Sequence, residues 1–303
     1  MTSLIDVQAM MRANAEELET YGDQLFPEEY RGLETSEDTE KKAPFSFSPG
    51  EMKEMSQERP APLIDGLLPS EVVSIFAGTP GIGKTFVALD WAIHIAGGID
   101  WNEFIVQEPH DVVYIVGEGW SSIGDRIQQW EEKHGEEVSD RLHFVDGSAE
   151  HIDMSVESME EYLRVKLKDL NPDLIIFDTF SMLAGIKSEN DNAEVAKVFS
   201  RAHRMMRELN STVMFIHHLN KDGRQIRGAT SFLGNVDTAI TANREKNTDW
   251  FYLSTKSEDG GKQRDMKPQR IDGFHIGSPG VLLKYTKDEM VEKVAEQNME
   301  KGK

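Results

Sequence analysis

The sequence predicts an α/β protein in which helices flank both faces of a mostly parallel β-sheet. One observation is a set of short, nearly continuous apolar runs, which are typical of strands buried on both faces. These runs are Val72–Phe76, Val112–Val116, Leu142–Val145, Leu174–Phe177 and Val213–Ile216. A second observation is the helical pattern between them. Lys84–Ala96 is apolar nearly all round, and 193–209 repeats its apolar residues with a period of 3.6. Strands that alternate with helices indicate parallel pairing through helical crossovers.

Beyond residue 235 the sequence becomes rich in β patterns. The predicted strands cover 237–243, 250–256, 270–276 and 281–285, with glycine-containing turns between them. Such closely spaced strands form hairpins, so we expect C-terminal β-hairpins to extend the sheet. The predicted domain therefore covers residues 62–285, and residues 286–303 form a charged tail.

The N-terminal segment differs in composition from the rest of the chain. Lys and Arg total 33 and Asp and Glu total 54 in 303 residues, a net charge of −21, of which −8 falls in residues 1–60. Few β-branched residues and several prolines favour an acidic, flexible arm over residues 1–61. An apolar residue recurs every seven positions at its start, which predicts a helix over residues 3–25. These residues are Leu4, Met11, Leu18 and Leu25.

Composition also excludes several classes of protein and site. The chain has no cysteine, which excludes disulfides and thiolate metal sites. A mean hydropathy of −0.50 and the lack of a long apolar run exclude a membrane-spanning helix. No basic segment leads into an apolar stretch at the N-terminus, so we expect a cytoplasmic protein without a signal peptide. The acidic balance argues against non-specific coating of nucleic acid, which leaves only local contacts.

A phosphate-binding loop follows the first predicted strand. The motif G-x-x-x-x-G-K-[ST] is matched by Gly78, Thr79, Pro80, Gly81, Ile82, Gly83, Lys84 and Thr85. A strand precedes the motif and a helix follows it, which is the context that a P-loop requires. Backbone N–H groups and the helix N-terminus would hold ATP phosphates, with Lys84 at the β- and γ-phosphates and Thr85 on Mg²⁺.

Two carboxylates after later strands complete the expected chemistry. Asp178 ends an apolar strand, where it would help Thr85 to hold Mg²⁺. Glu118 stands between two glycines after another strand, where an accessible carboxylate would polarise the attacking water. The alternative for Asp178 is an aspartate in the turn that ends its strand, and the alternative for Glu118 is a glutamate in a surface turn.

Two histidines follow the last of the five apolar runs. His217 and His218 would lie at the phosphate edge of the sheet, where one of them would report the state of the γ-phosphate. A packed or merely hydrogen-bonded histidine is the alternative.

Five features of the sequence resemble, in their kind and order, RecA-fold ATPases of the RepA type. They are the P-loop, the Glu118 segment, Asp178, the paired histidines and the segment from Arg227 to Ser231. Proteins of the RepA type are phage- and plasmid-encoded AAA ATPases related to hexameric replicative helicases. The resemblance implies a RecA-like P-loop NTPase core in a homo-oligomer, either a hexameric ring or a filament, with ATP between neighbours. It also implies that Glu118 activates water, that a histidine is the sensor and that Arg227 is an arginine finger acting in trans. A solvated loop arginine or a DNA-phosphate contact is the alternative for Arg227.

The chain departs from this family at a second pair of trans-acting cations. Helicases of this superfamily carry Lys-x-Arg on a later strand, whereas here Lys256 is followed by Glu258. Either Lys256 acts alone, or Lys262 and Arg264 substitute. The resemblance to duplex-unwinding members is therefore weaker than the resemblance to the ATPase core.

A positively charged loop in this acidic chain is the predicted contact with DNA. The 219–230 loop has a net charge of +2 from Lys221, Arg224 and Arg227 against one aspartate, whereas the 184–194 loop has −2. This combination predicts modest, salt-sensitive binding of single-stranded DNA.

The sequence thus predicts an ATP-hydrolysing motor on single-stranded DNA, a RepA-like replicative helicase. One alternative is an ATP-switched recombination or annealing protein without unwinding activity. The other is an ATPase adaptor whose replication or recombination partner docks on the acidic arm.

Overall fold

The computed structural model of the chain describes residues 46–220, 222–223, 225–228, 231–245, 248–278, 280–286, 288–290 and 292–293. The chain divides into two compact units, Met1–Arg59 and Pro60–Lys303. The predicted helix over residues 3–25 lies outside the described residues, as do Lys221 and Arg224.

The first unit contains one described helix, α1 (Pro49–Gln57). Ser48 caps it, because its hydroxyl accepts from the Glu51 N–H while the Glu51 carboxylate accepts from the Ser48 N–H. This reciprocal capping box, with proline at the first helical position, explains why the helix begins here. None of its residues is buried.

In the second unit, the described residues form one ten-stranded sheet. The strands are β1 (Val73–Gly78), β2 (Val112–Val116), β3 (Leu142–Asp146), β4 (Leu174–Asp178), β5 (Thr212–His218), β6 (Thr238–Arg244), β7 (Phe251–Ser254), β8 (Lys262–Gln263), β9 (Arg270–Gly277) and β10 (Val281–Lys284). Their order is β10-β9-β7-β6-β1-β5-β4-β2-β3, and β8 pairs with β6. The six strands from β6 to β3 are parallel, and β7 to β10 pair antiparallel.

The helices of this unit are α2 (Lys84–Gly97), α3 (Ile123–His134), α4 (Glu157–Lys168), α5 (Phe180–Leu183), α6 (Asn192–Leu209) and α7 (Ser231–Asn235). The longest, α6, begins where the Asp191 carboxylate accepts from two backbone N–H groups and ends at Asn210 in the left-handed region. Both ends carry residue types that favour those cap positions. The helix α2 is buried along most of its length, and Gly98 ends it with φ 63°.

Alternate residues of the parallel strands pack on opposite faces of the sheet. On one face, Phe76, Tyr114 and Ile216 belong to a core shared with α2 and α3. On the other face, an aromatic cluster joins the strands to α5, α6 and α7. Its members are Phe177, Phe180, Phe199, Phe215 and Phe232. Burial on both faces accounts for the uninterrupted apolar runs.

The predicted fold class is confirmed as an α/β protein with a mostly parallel, helix-flanked sheet and C-terminal antiparallel strands. In the described part of the chain, no helix is both long and apolar enough to cross a membrane.

Candidate functional site

The P-loop connects the end of β1 at Gly78 to the start of α2 at Lys84. Gly81 and Gly83 have positive φ values of 73° and 102°, a conformation that side chains with a Cβ rarely adopt. The Lys84 ammonium turns back into the loop, where it donates to the carbonyl oxygens of Gly78 at 3.1 Å and Thr79 at 3.3 Å. The loop therefore surrounds its own lysine, at a helix N-terminus suited to an anion.

Ile276 on β9 covers the P-loop, a contact that sequence reasoning missed. A Cβ built on Gly83 would lie 2.7 Å from Cγ1 of Ile276 and 2.8 Å from its Cδ1. Gly83 is thus required both by its φ value and by this close approach. The residues are 193 positions apart, and the sequence carried no signal for their contact.

The Lys84 ammonium lies near both negatively and positively charged side chains. Burial lowers its pKa to about 8, against the opposing effect of Asp178 and Glu118. The positive charge of Arg227 lowers it further. All three charged residues predicted around the phosphates therefore lie near enough to Lys84 to act on it electrostatically.

Asp178 ends β4 as a buried carboxylate, 3% exposed. Its Oδ2 accepts a hydrogen bond of 2.7 Å from the Tyr114 hydroxyl on β2. Burial raises the pKa of Asp178, whereas hydrogen bonds from Tyr114 and Thr85 and the charge of Lys84 lower it. Burial and the nearby carboxylate also raise the pKa of Tyr114 well above its ordinary value. Sequence reasoning missed Tyr114, although a lone hydroxyl within an aliphatic strand signals a buried partner.

The residues around Asp178 fit a divalent cation. Its Oδ1 is buried and has no hydrogen-bond partner within the described ranges, so one hard oxygen ligand is free. No group of three or more His, Asp or Glu residues arranged to hold a metal occurs among the described residues. The free Oδ1 of Asp178 suits Mg²⁺, which is usually held by one or two protein oxygens together with water and phosphates. Asp178 and Thr85 would hold the ion, which would neutralise charge on the phosphates.

Glu118 follows β2, the strand next to the one that Asp178 ends. The strands β2 and β4 are in register, with Val116 level with Asp178, and the Gly117 N–H donates to the Asp178 carbonyl oxygen at 2.6 Å. A Cβ on Gly117 would lie 2.9 Å from Cβ of Met182, which explains the first of the two flanking glycines. The Glu118 side chain itself is exposed. An accessible carboxylate thus lies next to the candidate metal ligand.

The two histidines point to opposite faces of β5. His218 shares the α2 face, and its Nδ1 lies 3.3 Å from the Lys84 Nζ. Burial and the charge of Lys84 lower its pKa to about 4, so at neutral pH its Nδ1 is free to accept from the ammonium. His217 is fully buried against Phe232, with the ring centroids 4.8 Å apart, and its Nε2 donates to the Arg227 carbonyl oxygen at 2.9 Å. Burial lowers its pKa to about 4 as well.

Arg227 is held by groups of its own chain. Its guanidinium donates to both carboxylate oxygens of Glu189 at 2.9 and 3.0 Å and to the Ser181 hydroxyl at 3.0 Å. Its backbone N–H donates to the His218 carbonyl oxygen. Sequence reasoning missed Ser181 and treated Glu189 only as a charge of its loop.

Three further cations predicted as trans-acting candidates lie elsewhere. Lys256 follows β7, which runs antiparallel to β6, so the chain at Lys256 leads away from the P-loop edge. The Lys262 ammonium donates to the carbonyl oxygens of Leu233 and Val236 at 2.7 and 2.6 Å, and Arg264 pairs with Asp237 at 2.7 Å. Lys262 and Arg264 thus have structural partners within the chain.

The arrangement combines what nucleoside triphosphate hydrolysis needs at one edge of the sheet. Three groups lie together at the carboxyl ends of parallel strands. The P-loop with its cationic lysine follows β1, the buried Asp178 carboxylate with a free oxygen ends β4, and the exposed Glu118 carboxylate follows β2. Ligands of open α/β sheets bind at this edge.

Comparison with known proteins gives a family and a match to solved structures. No curated protein matches the chain. The KaiC-like protein PH0186 from the hyperthermophilic archaeon Pyrococcus horikoshii OT3 is 19% identical, with 74% of this chain and 94% of that chain covered and a TM-score of 0.48. The AAA domain family matches residues 38–224, which is more than half of the chain and includes the P-loop, Glu118 and Asp178. The chain therefore belongs to the AAA domain family.

Proposed function

We propose that this protein is a RecA-like ATPase that hydrolyses ATP as a motor on single-stranded DNA, as a replicative helicase of the RepA type. The observation that supports hydrolysis best is the placement of Lys84, Asp178 and Glu118 within electrostatic reach of one another. Phosphate binding alone would need the P-loop, whereas a free buried carboxylate oxygen and an exposed carboxylate beside it suit hydrolysis.

The proposed chemistry assigns one role to each group. The P-loop N–H groups and the Lys84 ammonium bind the phosphates and stabilise the charge that develops on the transferred phosphoryl group. Glu118 accepts a proton from the water that attacks the γ-phosphorus. His218, in contact with Lys84, senses whether the γ-phosphate is present. The Asp178 carboxylate, oriented by Tyr114, would hold Mg²⁺ together with Thr85.

We further propose a homo-oligomer, a ring or a filament, in which Arg227 and Lys256 act on a neighbour's nucleotide. The chain at Lys256 leads away from its own P-loop edge, which suits action on another subunit. Single-stranded DNA would bind the loops after β4 and β5, with Lys221 and Arg224 as contacts. The acidic arm would bind a replication or recombination protein in the cytoplasm.

The test measures ATP hydrolysis with and without single-stranded DNA over a range of salt concentrations. We expect DNA to stimulate hydrolysis at low salt and the Lys84→Ala variant to be inactive. Gly124→Ala is the control, since a Cβ at Gly124 meets no atom within 4 Å. Equal hydrolysis by the wild type and Lys84→Ala would refute the assignment of the site. Hydrolysis that DNA never changes would refute the DNA-dependent motor.

One observation favours an ATP-switched annealing or recombination protein. The second trans cation of unwinding enzymes is replaced by Glu258, which lies exposed in a 3₁₀ turn beside Lys256. A strand-displacement assay separates the two functions. Stable ATP-dependent assemblies on DNA without displacement would support the annealing protein over the helicase.

A further inference from the structure

Glu189 and Arg227 form an ion pair between two segments that approach the candidate site from different strands. Glu189 lies in the connection between β4 and α6, and Arg227 lies in the connection between β5 and α7. Both guanidinium contacts to the carboxylate are hydrogen bonds, at 2.9 and 3.0 Å, so the pair is bidentate. Bidentate pairs of this kind are the strong and orientation-specific ones.

The contacts around the pair fix it in place. The Ser181 hydroxyl accepts from Arg227 Nη2 at 3.0 Å, and Ser181 lies three residues after Asp178. Gly228 has a φ of 101°, and a Cβ there would collide with the carbonyl oxygen of Glu189. The two connections therefore touch through backbone as well as through charge.

The pair also joins the histidine end of β5. The Arg227 carbonyl oxygen accepts from His217 Nε2, and the Arg227 N–H donates to the His218 carbonyl oxygen. Burial acts to raise the pKa of Glu189, but hydrogen bonds from Arg227 and Ser181 outweigh it, so the pKa lies below its ordinary value. Glu189 is therefore an anion at neutral pH and a full counter-ion for Arg227.

The pair is nevertheless open to a competitor. The Arg227 side chain is 45% exposed and the Glu189 side chain 22% exposed. A guanidinium fork binds a phosphate with the same two-point geometry as a carboxylate. A phosphate that reaches the exposed guanidinium can thus take the place of the Glu189 carboxylate on Arg227.

We propose that Glu189 is a latch for Arg227. Its carboxylate holds the guanidinium within its own subunit, and a phosphate group releases Arg227 by taking the place of that carboxylate. The inference rests on the proposed function, because the phosphate belongs either to single-stranded DNA or to a neighbour's nucleotide. Glu189 is thus a positioning residue that acts through Arg227.

The test compares the full-length wild type with Glu189→Gln, Arg227→Gln and the double variant. Two probes are titrated separately, a fluorescein-labelled oligo-dT and a fluorescent ATP analogue with Mg²⁺. Glutamine keeps the size of the side chain and removes its charge. We expect Glu189→Gln to bind one or both probes about three- to tenfold more tightly than the wild type. The probe that gains affinity identifies the source of the phosphate.

Two controls separate a latch from a structural effect. Glu157→Gln removes the carboxylate of an exposed ion pair between α4 and α6, with Arg204 at 3.0 Å, and should leave both affinities unchanged. Ser181→Ala removes only the third contact of Arg227 and should give a smaller gain in the same direction. It keeps the test decisive if Glu189→Gln folds poorly.

Two results would overturn the latch. One is unchanged affinity for both probes in Glu189→Gln and Ser181→Ala. The other is a gain that persists when Arg227 is already glutamine, since the gain would then not pass through the guanidinium. Failure of the proposed function is measured separately, as equal ATP hydrolysis by the wild type and Lys84→Ala.

Discussion

Replacing Tyr114 by phenylalanine tests how the candidate metal ligand is held. The substitution removes one hydroxyl from a fully buried ring and leaves the packing of that ring against Phe144 in place. The lost hydrogen bond, 2.7 Å long, is the one that the buried Asp178 carboxylate accepts at Oδ2. Oδ1 has no partner among the described residues, so Oδ2 is the oxygen that loses a hydrogen bond in the variant, and the bond from Thr85 remains.

The structure sets the size of the effect. A hydrogen bond to a charged group contributes about 1.5 to 3 kcal/mol, and both partners here are buried, so we expect a loss of about 2 kcal/mol. For a unit of this size that loss lowers Tm by about 4 to 8 °C. Without the Tyr114 donor the pKa of Asp178 rises further, so the anion that binds Mg²⁺ becomes less favourable. Changes next to a metal ligand commonly weaken metal binding at least tenfold.

Two assays measure these effects. Thermal unfolding without nucleotide gives the stability change, and ATP hydrolysis at increasing Mg²⁺ gives the half-saturating concentration, which we expect to rise about tenfold. Tyr162→Phe is the matched control, because the Tyr162 hydroxyl also donates to a carboxylate, that of Glu150 at 3.2 Å, but in a less buried place. The reasoning is refuted if Tyr114→Phe loses less than about 0.5 kcal/mol and needs no more Mg²⁺ than Tyr162→Phe.

Three further predictions follow from single contacts. Gly83→Ala should weaken binding of a fluorescent nucleotide, because its Cβ would collide with Ile276 at a φ of 102°, whereas Gly124→Ala should not. His217→Gln should reduce the loss of Tm between pH 7 and pH 5. Burial lowers the His217 pKa to about 4, so the unfolded chain takes up the proton first as the pH falls through 6.5. An equal loss in both proteins would contradict this. Lys262→Met should lower stability by about 2 kcal/mol in denaturant unfolding, because two backbone carbonyls lose a charged donor. A smaller loss than 0.5 kcal/mol, roughly that of an exposed pair, would contradict the structural role.

The parallel strands could be predicted from the sequence because a strand that is buried on both faces has an uninterrupted run of apolar residues. Each of the five apolar runs corresponds to a strand, and the predicted helices at residues 84–96 and 193–209 differ from the observed ones by one residue at an end. The strands β1, β4 and β5 extend beyond the predicted runs, to Gly78, Asp178 and His218. Their last residues carry polar groups or no side chain, because they line the site, and so the apolar pattern stops before the strand does.

Contacts between distant segments could not be predicted in the same way. The P-loop is local, so a single motif located Lys84 and its glycines. The partners of Asp178 and Arg227 depend on which strands are neighbours and in what register. Tyr114 reaches Asp178 only because β2 lies beside β4, and Glu189 reaches Arg227 only because β4 lies beside β5. No local pattern encodes that order.

The pleat of β5 explains why the adjacent residues His217 and His218 make different contacts. Successive side chains of a strand point to opposite faces, so the two rings occupy different environments. His218 contacts Lys84 on the α2 face, and His217 holds the Arg227 carbonyl on the face of the aromatic cluster. The P-loop lysine and the Glu189–Arg227 pair are thereby connected through two adjacent residues of one strand. Because the two histidines are adjacent on β5, a movement of this strand end that changes one of these contacts also moves the other.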